Sequence, residues 1–146
     1  MAIRRLALVV NRTKSGVEEI VRAVQEATTE AGVQLVIADT WPVDRATLRG
    51  ADACCVVGGD GTFLGVAEPA ALEGVPLFGI NRGKLGFLAA YPEEDVRASL
   101  RSVLAGDYRR ENRALLEVRF ADGSFTLALN DVVLKTRDVF RMGRFA

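Results

Sequence analysis

The chain has 146 residues, 49% hydrophobic and 26% charged, which is enough to bury one core and too apolar for a disordered polypeptide. Nineteen basic and nineteen acidic residues cancel, removing the basic field expected of a nucleic-acid binder or a polybasic membrane patch. There is no histidine, so histidine-dependent triads and histidine-ligated metals are excluded.

The first buried-strand pattern is Leu6-Ala7-Leu8-Val9-Val10, ending in the polar loop Asn11 to Gly16. Val17, Ile20, Val21, Val24 and Ala27 then follow the spacing of a helix packed on a sheet, with Gly32 placed to stop it. Val33 and Leu35 to Ile37 predict a second strand, and Val43 to Arg49 a short helix or turn. Ala53-Cys54-Cys55-Val56-Val57 reads as a strand covered on both faces. A glycine-rich turn leads into a helix expected to begin near Thr62 and to end or kink at Pro69.

Val75 to Ile80 predicts a fourth strand, followed by a loop from Asn81 to Ala90. The next helix is expected to open with Pro92 in its first turn, to bury Val96, Leu100, Val103 and Leu104, and to stop at Gly106. Strand alternating with helix implies an open, mostly parallel α/β sheet with helices on both faces. The pattern changes at the charged connector Asp107 to Arg113. Leu116, Val118 and Phe120 alternate with charges, predicting a strand with one buried face, and Asp122-Gly123 turns the chain into Phe125 to Leu129. We expect residues 1–108 to form one α/β domain and residues 109–146 the first antiparallel strands of an incomplete β-rich domain.

Cys54 and Cys55 are adjacent, so in a strand they face opposite ways and suit neither a disulfide nor a zinc pair. They read as small buried residues of a reducing compartment. No leader-like segment precedes the first strand, and apolar runs reach only about five residues against the roughly 20 of a membrane span. The expectation is a cytoplasmic protein with no membrane or nucleic-acid partner.

The densest chemical feature is Gly58-Gly59-Asp60-Gly61-Thr62, between a buried strand and a helix. Glycines let backbone amides approach a phosphate, and the helix N-terminus adds partial positive charge. Thr62 can cap the helix or donate to a phosphate oxygen. A carboxylate there would repel phosphate, so Asp60 either takes a proton from an attacking hydroxyl, helps hold Mg²⁺, or simply hydrogen-bonds the loop. The chain has no G-x-x-x-x-G-K-[ST] sequence, and G-x-G-x-x-G fails because Gly61 is followed by Leu64 before Gly65. The second feature is Asn81-Arg82-Gly83-Lys84-Leu85-Gly86-Phe87-Leu88, where Phe87 could stack on a base or fill the core. The third, Asn130-Asp131, is by itself an ordinary turn pair.

Together these segments resemble the NAD kinase family. The GGDGT segment, the Asn81 to Leu88 segment and Ala128-Leu129-Asn130-Asp131 are similar to its three leading motifs. The resemblance implies phosphoryl transfer from ATP, or polyphosphate, to the adenosine ribose 2′-hydroxyl of NAD, giving NADP. It implies that Asp60 is the general base, that Gly61 presents backbone to the nucleotide, and that Asn130, Asp131 and Arg141 hold NAD. Asn81 and Phe87 would border the adenosine. It further implies a divalent cation, Mg²⁺, arriving with ATP, and a homo-oligomer. The T-P-T-G-S-type segment of the family's second domain does not occur in the sequence. The alternatives are a truncated, catalytically silent nucleotide-binding module and a lipid or sugar kinase sharing GGDGT.

Overall fold

The structure, a computed structural model, describes residues 2–38, 40–81, 88, 91–92 and 95–133. The first strand, β1 (Arg5–Val10), is followed by α1 (Val17–Glu30), β2 (Gln34–Ala38) and the single turn α2 (Arg45–Leu48). Next come β3 (Ala53–Gly58), α3 (Asp60–Glu73), β4 (Leu77–Asn81), the two-residue β5 (Tyr91–Pro92) and α4 (Val96–Ala105). These five strands form one parallel sheet in the order β2-β1-β3-β4-β5. A separate antiparallel pair, β6 (Leu116–Arg119) and β7 (Phe125–Ala128), follows.

The continuous apolar strands explain why the sheet is covered on both faces. Successive side chains point to opposite sides, so each strand supplies two cores. On one face Leu6, Leu8, Cys55, Val57 and Ile80 meet Ile20 and Val24 of α1 and Leu100 and Val103 of α4. On the other, Ala7, Val9, Cys54 and Val56 meet Leu48 of α2 and Phe63, Val66 and Ala70 of α3. Leu6, Leu8, Val24, Leu48 and Val66 have no exposed surface, and each such side chain contributes about 1.5–3 kcal/mol through its burial. The expected doubly covered α/β sheet is the architecture observed. The paired cysteines lie one in each core, and both are free thiols.

This strand order fixes where a ligand can sit. From β1 the chain crosses to β2 on one side, and from β3 it crosses to β4 on the other. The carboxyl ends of β1 and β3 therefore flank the crevice where the winding reverses, the usual ligand position in open α/β sheets. Asn11 follows β1 and Gly59 follows β3.

Four local expectations change. The helix after the glycine turn starts at Asp60 rather than near Thr62, because Gly59 is its N-cap and the amides of Thr62 and Phe63 both reach the Gly59 carbonyl, at 3.0 and 3.1 Å. It then runs through Pro69 to Glu73. The carbonyl that Pro69 cannot bond belongs to Gly65, an exposed position where water can take its place. Pro92 is not in a helix: Tyr91 and Pro92 pair in parallel with Ile80 and Asn81, and α4 begins only at Val96. Sheet pairing outweighs the preference of proline for a first helical turn.

The hairpin forms as expected, with Leu116 opposite Ala128 and Arg119 opposite Phe125. Its turn is tied by Ser124, whose N–H and hydroxyl donate to Asp122 Oδ1 at 2.9 and 2.6 Å. The predicted buried face is not observed. Leu116, Phe120 and Phe125 are each about half exposed, since two strands alone supply no covering layer among the described residues.

Candidate functional site

The site begins at Gly58, the last residue of β3. A Cβ there would lie 2.6 Å from Thr62 Oγ1 and 2.8 Å from Thr62 Cβ, so glycine is required for the turn to close. Gly59 and Gly61 differ: among the described residues a Cβ on either would meet nothing within 4 Å. The loop is packed tightly behind, and among the described residues it is open in front. Gly59 has no side chain to cap α3, leaving the helix N-terminus directed into that open space with its partial positive charge.

Asp60 is the first residue of α3 and is half-buried. Its Oδ1 accepts the backbone N–H of Leu88 at 3.2 Å. Leu88 closes the second sequence feature, so this bond joins that segment to the glycine loop. The start of the segment is joined as well: Asn81, 5% exposed, is paired in register with Gly58 across β3 and β4. Two segments separated in sequence thus meet at the carboxyl end of the central strands.

Asn11, which follows β1, supplies the other wall of the crevice. Its N–H donates to the Val57 carbonyl at 3.0 Å, and its Nδ2 donates to Thr62 Oγ1 at 3.1 Å. Its own Oδ1 accepts from the N–H and hydroxyl of Thr13, at 3.1 and 2.6 Å. One asparagine therefore ties the loop after β1 to the first turn of α3. Sequence reading gave this loop no weight; the signal available was an asparagine at a strand end beside the switch point.

Asn130 and Asp131 follow β7 and are exposed. The strand before them is bonded to α3 at Glu68, whose Oε1 accepts from Thr126 Oγ1 at 2.8 Å and from the N–H of Leu127 at 2.7 Å. Leu129, just before Asn130, packs against the same core as Leu88, Phe63 and Val66. Phe87 and Arg141 lie outside the described residues. Glu68 was not singled out in the sequence, because a lone glutamate on a helix carries no motif.

A cleft of about 390 Å³ lies beside β4, lined by Ile3 and Val75 at the amino ends of the strands and by Leu88 and Leu129 at the carboxyl end. Only its upper end, at Leu88 and Leu129, touches the site. Neither thiol takes part, since burial pushes Cys54 up to about 12 and Cys55 well above the usual thiol range. Among the described residues no three carboxylates or thiols gather as a cation site, and no helix is long and apolar enough to cross a membrane.

Residues 42–108 match the family model of the ATP-NAD kinase N-terminal domain. Over 132 residues the chain is 38% identical to an NAD kinase of Clostridium botulinum (strain Loch Maree / Type A3), covering 88% of this chain and 47% of that protein. It is 46% identical over 102 residues to an NAD kinase of Cupriavidus pinatubonensis, covering 67% of this chain and 33% of the relative. The chain spans about half the length of the curated relatives it matches. A crystal structure of yeast NADH kinase complexed with NADH shares the fold, with a TM-score of 0.66 at 14% identity over 88% of this chain and 46% of the other. On this fold, with these relatives and this glycine loop, the chain is similar to the N-terminal half of NAD kinases.

Proposed function

We propose that this chain carries the catalytic loop of an NAD kinase, which transfers a phosphoryl group from ATP or polyphosphate to the adenosine ribose 2′-hydroxyl of NAD and releases NADP. The observation that carries the reading is the Asp60 carboxylate, set at the open mouth of the glycine loop and oriented by the Leu88 amide. A ribose hydroxyl is a weak nucleophile. Asp60 would accept its proton as the new oxygen–phosphorus bond forms and the donor's bridging bond breaks. The nearby helix N-terminus and glycine amides would offset charge on the phosphates.

Gly61 would present backbone to the nucleotide, Asn81 and Phe87 would border the adenosine, and Asn130, Asp131 and Arg141 would hold NAD. A divalent cation, Mg²⁺, would enter on the donor's phosphates. We take residues 1–108 as one domain and 109–146 as the start of another, in a homo-oligomeric cytoplasmic protein. The test is NADP formation from NAD, ATP and Mg²⁺ by the chain and by Asp60→Asn. NADP from the first and none from the second supports the reading. Equal rates from the two would remove Asp60 from the chemistry.

A further inference from the structure

The helix that begins with Asp60 also grips the strand that leads to Asn130. Glu68 lies eight residues further along α3, about 12 Å down the helix axis. Its single oxygen Oε1 takes both the Thr126 hydroxyl and the Leu127 N–H. That N–H sits on the edge of a two-stranded sheet, where no further described strand could accept it. That one oxygen of Glu68 is thus shared between the side chain of one β7 residue and the backbone of the next. Val66, Ala67 and Ala70 around it are buried against the sheet, which makes α3 a firm base for the grip.

Resting on the proposed function, we propose that Glu68 is a positioning residue that sets Asn130 and Asp131 relative to Asp60. Residues 116–129 have little core of their own, as the half-exposed Leu116, Phe120 and Phe125 show. The hairpin's attachment to α3 combines the half-buried residues Thr126 to Leu129 with the Glu68 bonds, and the Glu68 bonds are its directional part. A carboxylate answered by two donors at 2.7 and 2.8 Å is directional, unlike an apolar contact, and so specifies one docking position.

The experiment compares the unsubstituted chain with Glu68→Ala and Glu68→Gln, reading Leu127 amide exchange by NMR and NAD affinity by calorimetry. Glu68→Ala is expected to speed Leu127 exchange and to weaken NAD binding, each by about tenfold, while the amides of β1 and β3 stay protected. Glu68→Gln keeps an acceptor oxygen and should restore most of both. A Leu127 amide equally protected in Glu68→Ala overturns the proposal, and so does a freed amide with unchanged NAD affinity. If the unsubstituted chain binds no NAD, the kinase reading falls, and Leu127 exchange alone decides whether Glu68 holds the strand.

Discussion

The backbone N–H of Leu88 donates to Oδ1 of Asp60 at 3.2 Å, across a sequence separation of 28 residues. This bond joins the glycine loop to the segment after β4, and it fixes which way the carboxylate faces. A backbone donor cannot be removed by side-chain substitution, so the orientation survives changes at position 60 that keep an oxygen.

Asp60→Asn tests that distinction. Asparagine keeps Oδ1 for the Leu88 amide but cannot take a proton. NADP formation should fall by about 10²- to 10⁴-fold, with the thermal unfolding midpoint within a few degrees of the parent. Loss of activity accompanied by unfolding would instead mark Asp60 as a scaffold residue.

The glycines of the loop should separate by role. Gly58→Ala forces Cβ into Thr62, displacing the side chain bonded to Asn11, and should destabilise the fold by about 1–3 kcal/mol. Gly61→Ala meets no atom of the other described residues within 4 Å and replaces a flexible residue near a helix start, so stability should hold or rise slightly. It fills the open space where a nucleotide would approach, and NAD binding should weaken. Urea titration and NAD calorimetry on the two variants would show opposite patterns. A Gly61→Ala protein that binds NAD normally would move the ligand away from this loop.

Most of the fold was legible because the strands are buried on both faces and the helices are amphipathic. Leu6 to Val10, Ala53 to Val57 and the stripe from Val17 to Ala27 each carry a period that admits one reading. Boundaries near Asp60 and Tyr91–Pro92 were not legible, since a glycine N-cap leaves no side-chain signature and a two-residue strand exists only through pairing with β4. At the site, Asp60, Asn81 and Leu88 stood out as dense motifs, and the structure brings them together. Asn11 and Glu68 did not, because each acts through long-range hydrogen bonds between elements that local sequence cannot pair.

The two cysteines should be inert while the chain is folded. Cys54 is pushed up to about 12 by burial alone, and Cys55 is raised well above the usual range by burial and by its neighbour. At pH 8 the thiolate fraction of Cys54 would be on the order of 10⁻⁴, and neither sulfur is accessible. A chromogenic disulfide reagent should label no thiol in buffer and both in concentrated urea. Rapid labelling of the native chain would show that β3 opens readily, contrary to its central place in the sheet.

Acid should weaken the amino end of the sheet through Asp52. Its Oδ2 accepts the N–H groups of Arg4 and Arg5 at 2.8 and 2.9 Å, and these bonds, the Arg4 one first, hold its carboxyl below the ordinary range. Because the folded value is depressed, the contribution is complete above the unfolded value of about 3.9 and disappears as pH falls through the folded value. Asp52→Ala should therefore cost about 1 kcal/mol at pH 7, a figure reduced for the solvent around this partly exposed carboxylate. The gap between parent and variant should shrink as pH falls below the unfolded value. Urea melts of both proteins at pH 7 and in acid measure the difference directly, and a gap that does not shrink in acid would assign the stabilisation to packing rather than to the charged carboxylate.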